Sequence, residues 1–103
     1  MIFRVILTDL AVKDVETAAD FIWAESPENC RRWLTEFWQA VDMLKSMPFR
    51  HALIPEAEPI GIPYRSVSVH SHRLIYRVDE KQSKVYVVRV YHGARKPLSF
   101  EDV

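Results

Sequence analysis

Two runs decide the fold, Arg73-Leu74-Ile75-Tyr76-Arg77-Val78 and Val85-Tyr86-Val87-Val88-Arg89-Val90, the second leading straight into Tyr91-His92-Gly93-Ala94-Arg95. β-Branched and aromatic residues at this density suit strands, and the Glu80-Lys81-Gln82-Ser83 link between them is short enough to make the strands antiparallel neighbours. A third run, residues 64–70, precedes them across a turn at Ser71. The expectation is a three-stranded meander with strands at residues 64–70, 72–79 and 84–92. Arginines set among these residues place fixed positive charge on a rigid sheet, which is one way to present a surface to an anionic partner.

On the N-terminal side of these strands, residues 48–63 contain Pro48, Pro55, Pro59, Pro63 and Gly61 and read as an irregular crossover. Before them, Ser26-Pro27-Glu28 supplies an N-cap, a proline at the first helical position and an acid at the positive end of the helix dipole. A helix is expected from there to Met47, because Pro48 cannot extend the hydrogen-bond ladder. Its apolar stripe is Cys30, Trp33, Leu34, Phe37, Trp38, Val41, Leu44 and Met47; aromatics at this spacing read as core rather than as a binding platform. An earlier helix starts at Thr8 or Asp9, with Ala11, Val15, Ala18, Ala19 and Ile22 on one side and Asp14, Glu16 and Asp20 on the other. The Ser26-Pro27 connection is short enough to fold the two helices into an antiparallel hairpin. Residues 1–7 read as a first strand and the last ten residues as a loosely packed tail. The order strand, helix, helix, meander implies an α+β domain over residues 1–103, with both helices on one face of a mostly antiparallel sheet.

A chain of 103 residues with 49% hydrophobic residues is large enough for one core without metal or disulfide support. One cysteine, Cys30, excludes an internal disulfide and suits a reducing compartment; no apolar run approaches the length needed to span a bilayer. The expectation is a cytoplasmic protein without membrane contact. The formal net charge of 0 hides an asymmetry: between Ile60 and Leu98 eight cations (Arg65, Arg73, Arg77, Lys81, Lys84, Arg89, Arg95, Lys96) stand against Asp79 and Glu80, giving +6, so the remainder carries −6. Such a split suits an anionic partner, and equally suits strands that merely expose a solvated polar face.

Taken together, Asp9-Leu10, Ile22 through Ser26-Pro27, Leu44 to Pro48, Tyr64-Arg65, the Arg73–Val78 run and Val90-Tyr91-His92-Gly93-Ala94-Arg95 resemble, in order and spacing, the RelE/ParE superfamily of bacterial type II toxin-antitoxin toxins. The resemblance covers nearly the whole chain, and the Arg-x-Ile-Tyr-Arg-Val run and His-Gly-Ala-Arg ending look more like the ParE, or plasmid-stabilisation, branch. It implies a toxin neutralised by a cognate antitoxin. ParE-type members are described as poisons of DNA gyrase that act by binding protein, whereas RelE-type members cleave messenger RNA on the ribosome.

Cleavage of RNA needs a base for the 2′-hydroxyl, cations for the phosphorane and an acid for the leaving oxygen. By resemblance, Arg65 falls where the RelE branch places a catalytic arginine. Arg73 and Arg95 could hold phosphates bidentately, and His92 or Tyr91 could move the proton. The chain departs from that branch in having Phe100 near its end where those toxins carry a tyrosine, and Glu56 and Glu58 where they carry paired basic residues. Ribosome binders also tend to be strongly basic, because each neutralised phosphate adds affinity. The reading is therefore a gyrase-binding toxin whose antitoxin- or target-binding residues are Arg65, Arg73, Arg77, Arg89, Arg95 and Lys96. The alternatives are a ribosome-dependent RNase using Arg65, Arg73, Arg95 and His92, with ribosome and mRNA as partners, and a non-toxic relative that still binds antitoxin. A homodimer or a toxin-antitoxin heterotetramer is the expected assembly.

Weaker signals have plainer readings. His70 and His72, with Glu56 or Glu58, are too few firm ligands for zinc, so no metal and no cofactor is expected. Cys30 lies on an apolar stripe and reads as a buried thiol. Arg77 and Arg89 could pair with Asp79 or Glu80.

Overall fold

A computed structural model describes residues 2–93. The elements are β1 (Arg4–Leu7), α1 (Asp9–Glu25), α2 (Pro27–Met43), a 3-10 helix (Pro55–Ile60), β2 (Arg65–Val69), β3 (His72–Asp79) and β4 (Lys84–His92). The fold is α+β: a helical hairpin packs on a four-stranded sheet of order β1-β4-β3-β2. β2, β3 and β4 form the antiparallel meander, and β1 joins it parallel to β4, with Val5 opposite Val85 and Leu7 opposite Val87. The expected tail, with Arg95 and Lys96, lies outside the described residues.

Local chemistry starts both helices. The Thr8 side chain accepts from Ala11 N at 3.2 Å and donates to Val88 O at 3.1 Å, so one hydroxyl caps α1 and ties it to β4. Ser26 accepts from Asn29 N at 3.2 Å, with Pro27 opening α2, and its own N–H closes α1 through Ile22 O at 2.8 Å. α2 ends at Met43 rather than Met47, because the chain tightens before the proline: Leu44, Lys45 and Ser46 donate three residues back instead of four. Lys45 O is then free to accept from Phe3 N at 2.7 Å, which fixes the chain leading into β1.

The core between helices and sheet includes Ala11, Val15, Trp33, Phe37, Val41, Leu44, Leu74, Tyr76, Val85, Val87 and Val90. Trp38 was expected in it and is instead half exposed: Phe37 takes the inward position, and its neighbour, about 100° round the helix, meets Phe37 only edge-on at 5.0 Å. Met47 is also exposed. A second buried cluster, beyond the one core expected, lies on the other side of the sheet. There Ile54, Ala57 and Tyr64 cover Ile75, Val88 and Tyr91. The crossover that carries it contains the 3-10 helix, closed by Gly61 at φ 81°, a left-handed conformation that disfavours a side chain.

A bulge in β4 shapes the end of the sheet. Tyr76 is opposite Val87 while Ile75 is opposite Arg89, which leaves Val88 as the extra residue. Strict alternation from Val85 and Val87 would turn Arg89 and Tyr91 toward the helices; the bulge resets the alternation so that Val90 faces the core instead.

Candidate functional site: the cationic sheet and the loop that closes it

The register sorts the predicted cations onto different surfaces. Arg73, opposite Tyr91, and Arg77, opposite Tyr86, flank Ile75 on the side of the sheet away from the helices. Arg4, opposite Lys84, lies on this face too, a contribution that counting charges from Ile60 onward could not include. Arg77 stacks over the Tyr86 ring at 4.3 Å. Beside it Tyr64 is buried, and burial raises its pKa against the opposing pull of the Arg77 charge. A shallow groove runs here between Leu10 of α1, Ile60 and Ile62 of the crossover, and Tyr64, Arg77 and Val88.

Arg65 takes the opposite face. It pairs with Tyr76, whose ring belongs to the helix-side core, and its Nη1 donates to His51 O at 2.7 Å and to Phe49 O at 3.4 Å. Its guanidinium also lies over the Phe49 ring at 5.2 Å. Tyr76, fully buried, donates to Pro48 O at 2.7 Å. Burial lifts its pKa to about 12, against the opposing effects of the Arg65 charge and a hydrogen bond to the His51 backbone. Arg65 and Tyr76 together therefore fasten the loop that follows α2.

Arg89 is committed to structure. Its Nε and Nη2 donate to the two oxygens of Asp14 at 2.7 and 3.0 Å, and Asp14 Oδ2 also accepts from Val90 N at 2.9 Å. β1 has ended before this point of β4, so Asp14 supplies the acceptor that a paired strand would have given. The expected pairing with Asp79 or Glu80 is thus replaced by one across the fold, because Arg89 lies on β4 beyond the last residue paired with β1, where Asp14 of α1 reaches the open edge of the strand. Asp14 is the residue that sequence reasoning placed on the exposed acidic side of α1, and nothing in helical periodicity singles it out.

His92 is exposed at the end of β4, its ring 5.2 Å from that of His72. His72 is buried against Trp33 at 5.1 Å, and burial, with a smaller contribution from His92, lowers its pKa. Trp33 Nε1 donates to Val69 O at 3.2 Å, which locks α2 to the sheet. His70, in a left-handed turn conformation at φ 54°, bonds Glu36 of α2. No group of three or more metal-ligating side chains occurs among the described residues. Cys30 is buried, its thiol against Ala19 O at 3.3 Å.

The residues proposed from sequence for RNA cleavage therefore do not converge among the described residues. Arg65 pairs with Tyr76 and His92 with His72, four steps apart on β3, or about 13 Å at strand rise. Arg73 projects from the other face. What the arrangement does offer is a cationic outer sheet face and a fastened loop.

A model of the family described as "ParE toxin of type II toxin-antitoxin system, parDE" matches residues 5–97. Solved structures share the fold. In a chromosomal ParDE system from P. aeruginosa, the similar chain is 14% identical with a TM-score of 0.66, over 88% of this chain and 96% of that one. The toxin-antitoxin complex RelBE2 from Mycobacterium tuberculosis gives 24% identity and a TM-score of 0.61, over 89% and 99%. The archaeal RelE-RelB complex from Pyrococcus horikoshii OT3 gives 15% and 0.62, over 93% and 100%. No curated protein sequence matches the chain.

Proposed function

Because this chain belongs to the ParE toxin family of type II toxin-antitoxin systems, we propose that it is held inactive by a cognate antitoxin and, once released, inhibits DNA gyrase by binding it in the cytoplasm. The observation that carries the protein-binding reading is the placement of Arg65. Its guanidinium is hydrogen-bonded to the Phe49 and His51 carbonyls, and neither Arg73 nor His92 shares its locality. Phosphoryl chemistry on RNA needs a base, an acid and charge stabilisation around one phosphorus; a binding protein needs only a rigid, complementary surface. The structures similar to this chain are of complexes with antitoxins, which supports an antitoxin partner, alone or in a heterotetramer. A disordered, acidic segment folding onto the cationic outer face is the form of contact that the charge distribution favours.

One observation favours a second reading, a ribosome-dependent mRNA endonuclease: the exposed imidazole of His92 beside His72, one residue from Arg73 along the sheet. A relative that binds antitoxin without toxicity is the third. Induced expression with separate readouts distinguishes them. The gyrase reading expects relaxed plasmid DNA and intact messages; codon-positioned cuts in translated messages with normal supercoiling would replace it with the second, and unimpaired growth with the third.

A further inference from the structure

We propose that the loop between α2 and β2, from Met47 to Leu53, is the surface with which this toxin engages its cellular target, and that it fits an apolar cleft rimmed by carboxylates on a protein. The inference rests on reading the chain as a toxin but not on which target it poisons.

The loop has a fixed backbone and outward side chains, a combination that packing alone does not require. Pro48 O is held by the buried Tyr76 hydroxyl at 2.7 Å, and His51 O by Arg65 at 2.7 Å. Ala52 O accepts from Ser66 N at 3.4 Å, Leu53 bridges to Arg65, and Ile54 N donates to Tyr64 O at 2.9 Å. Yet Met47, Phe49 and Leu53 are 43%, 45% and 51% exposed. A preorganised loop loses little further conformational freedom on docking, and exposed apolar groups on such a loop are what a protein cleft can bury.

Phe49 is the natural anchor. It meets Phe3 edge-on at 6.2 Å and carries the Arg65 guanidinium over its face at 5.2 Å, and aromatic and arginine side chains dominate the energetics of protein interfaces. The charge around it selects the partner. From Leu44 through Pro55 the sequence has no Asp or Glu. Among the described residues Arg65 donates only to carbonyl oxygens. Arg50 is exposed, and its charge reaches far enough to help burial lower the pKa of His51. Cations that pair with no carboxylate among the described residues, set around exposed apolar groups, match carboxylates around an apolar cleft. A phosphate backbone would leave the three apolar side chains unused.

The test pairs Phe49→Ala/Arg50→Glu with Arg50→Glu alone, changes confined to exposed side chains, and reads growth arrest on induction. Circular dichroism melting serves as the folding control, and gel filtration reports oligomeric state. Both variants are expected to melt like the parent; the double variant should lose growth arrest by about tenfold or more in surviving cells, and the single variant less. Undiminished arrest would overturn the proposal, and if rescue by the co-expressed product of the adjacent short reading frame were lost at the same time, the loop would belong to the antitoxin contact. A parent dimer that the double variant splits would assign the loop to a second copy of this chain, also against the proposal. Loss of arrest in the variant when the parent leaves gyrase untouched would overturn only the gyrase reading. A parent that arrests nothing would overturn both.

Discussion

Asp14 and His72 show how single side chains set stability here. Asp14 receives two bonds from Arg89 and one from Val90 N, with both charged side chains largely removed from water. Removing one partner leaves the other without its counter-charge, so Asp14→Ala is expected to lower unfolding free energy by about 3 kcal/mol in urea titrations. A loss below about 1 kcal/mol, the scale of an exposed pair, would show the contact to be incidental. His72 gives a pH dependence. Burial lowers its folded pKa below the unfolded value, so the unfolded chain binds the proton more readily. Stability is then full above the unfolded pKa of roughly 6.5 and falls as pH drops through it toward the folded value; His51 contributes with the same sign. The urea midpoint should fall between pH 7.5 and 5.5, and by less in His72→Asn; an equal fall in both would assign the effect elsewhere. The tyrosine that fastens the loop titrates in the opposite sense. Tyr76 is raised to about 12, so its contribution holds below the unfolded phenol value and is lost as pH rises from about 10 toward 12.

Among the elements, those set by local chemistry were legible in the sequence and those set by long-range partners were not. Ser26-Pro27 could be read as an end and a beginning because capping depends on residues within one turn, and the structure places the cap there. Ser26→Ala is accordingly expected to cost about 1 kcal/mol, measured as a lower melting temperature with an unchanged circular dichroism spectrum. The extents of β3 and β4 were also legible, since β-branched and aromatic residues mark them from end to end. The β4 bulge was not: Val87-Val88 reads as continuous strand, and the need to keep Arg89 out of the core arises only once α1 is in place. The same holds for the 3-10 helix. Its prolines announce irregular chain, but its work of covering Ile75, Val88 and Tyr91 depends on residues far along the sequence. Gly61 closes it at positive φ, so Gly61→Ala should destabilise by about 1 kcal/mol although the added methyl meets nothing within 4 Å. A neutral result would show that the crossover relaxes without strain.

For the molecule as a whole, the sequence predicted one cationic platform and the structure divides it. Arg73, Arg77, Arg4 and Lys84 share the outer sheet face, Arg65 serves the loop after α2, and Arg89 is bound to α1. An acidic antitoxin docked on the outer face should feel Arg77 strongly and Arg65 weakly. Arg77→Glu is expected to weaken the complex by about tenfold, with an affinity that falls as salt rises; unchanged affinity in a pull-down would place the antitoxin elsewhere. That this protein inhibits DNA gyrase by binding it, rather than cutting RNA, is open to a single measurement: antitoxin-free protein titrated into a purified DNA gyrase supercoiling reaction. Loss of supercoiling together with trapped, cleaved DNA is the expected result. Full supercoiling at saturating protein would contradict it.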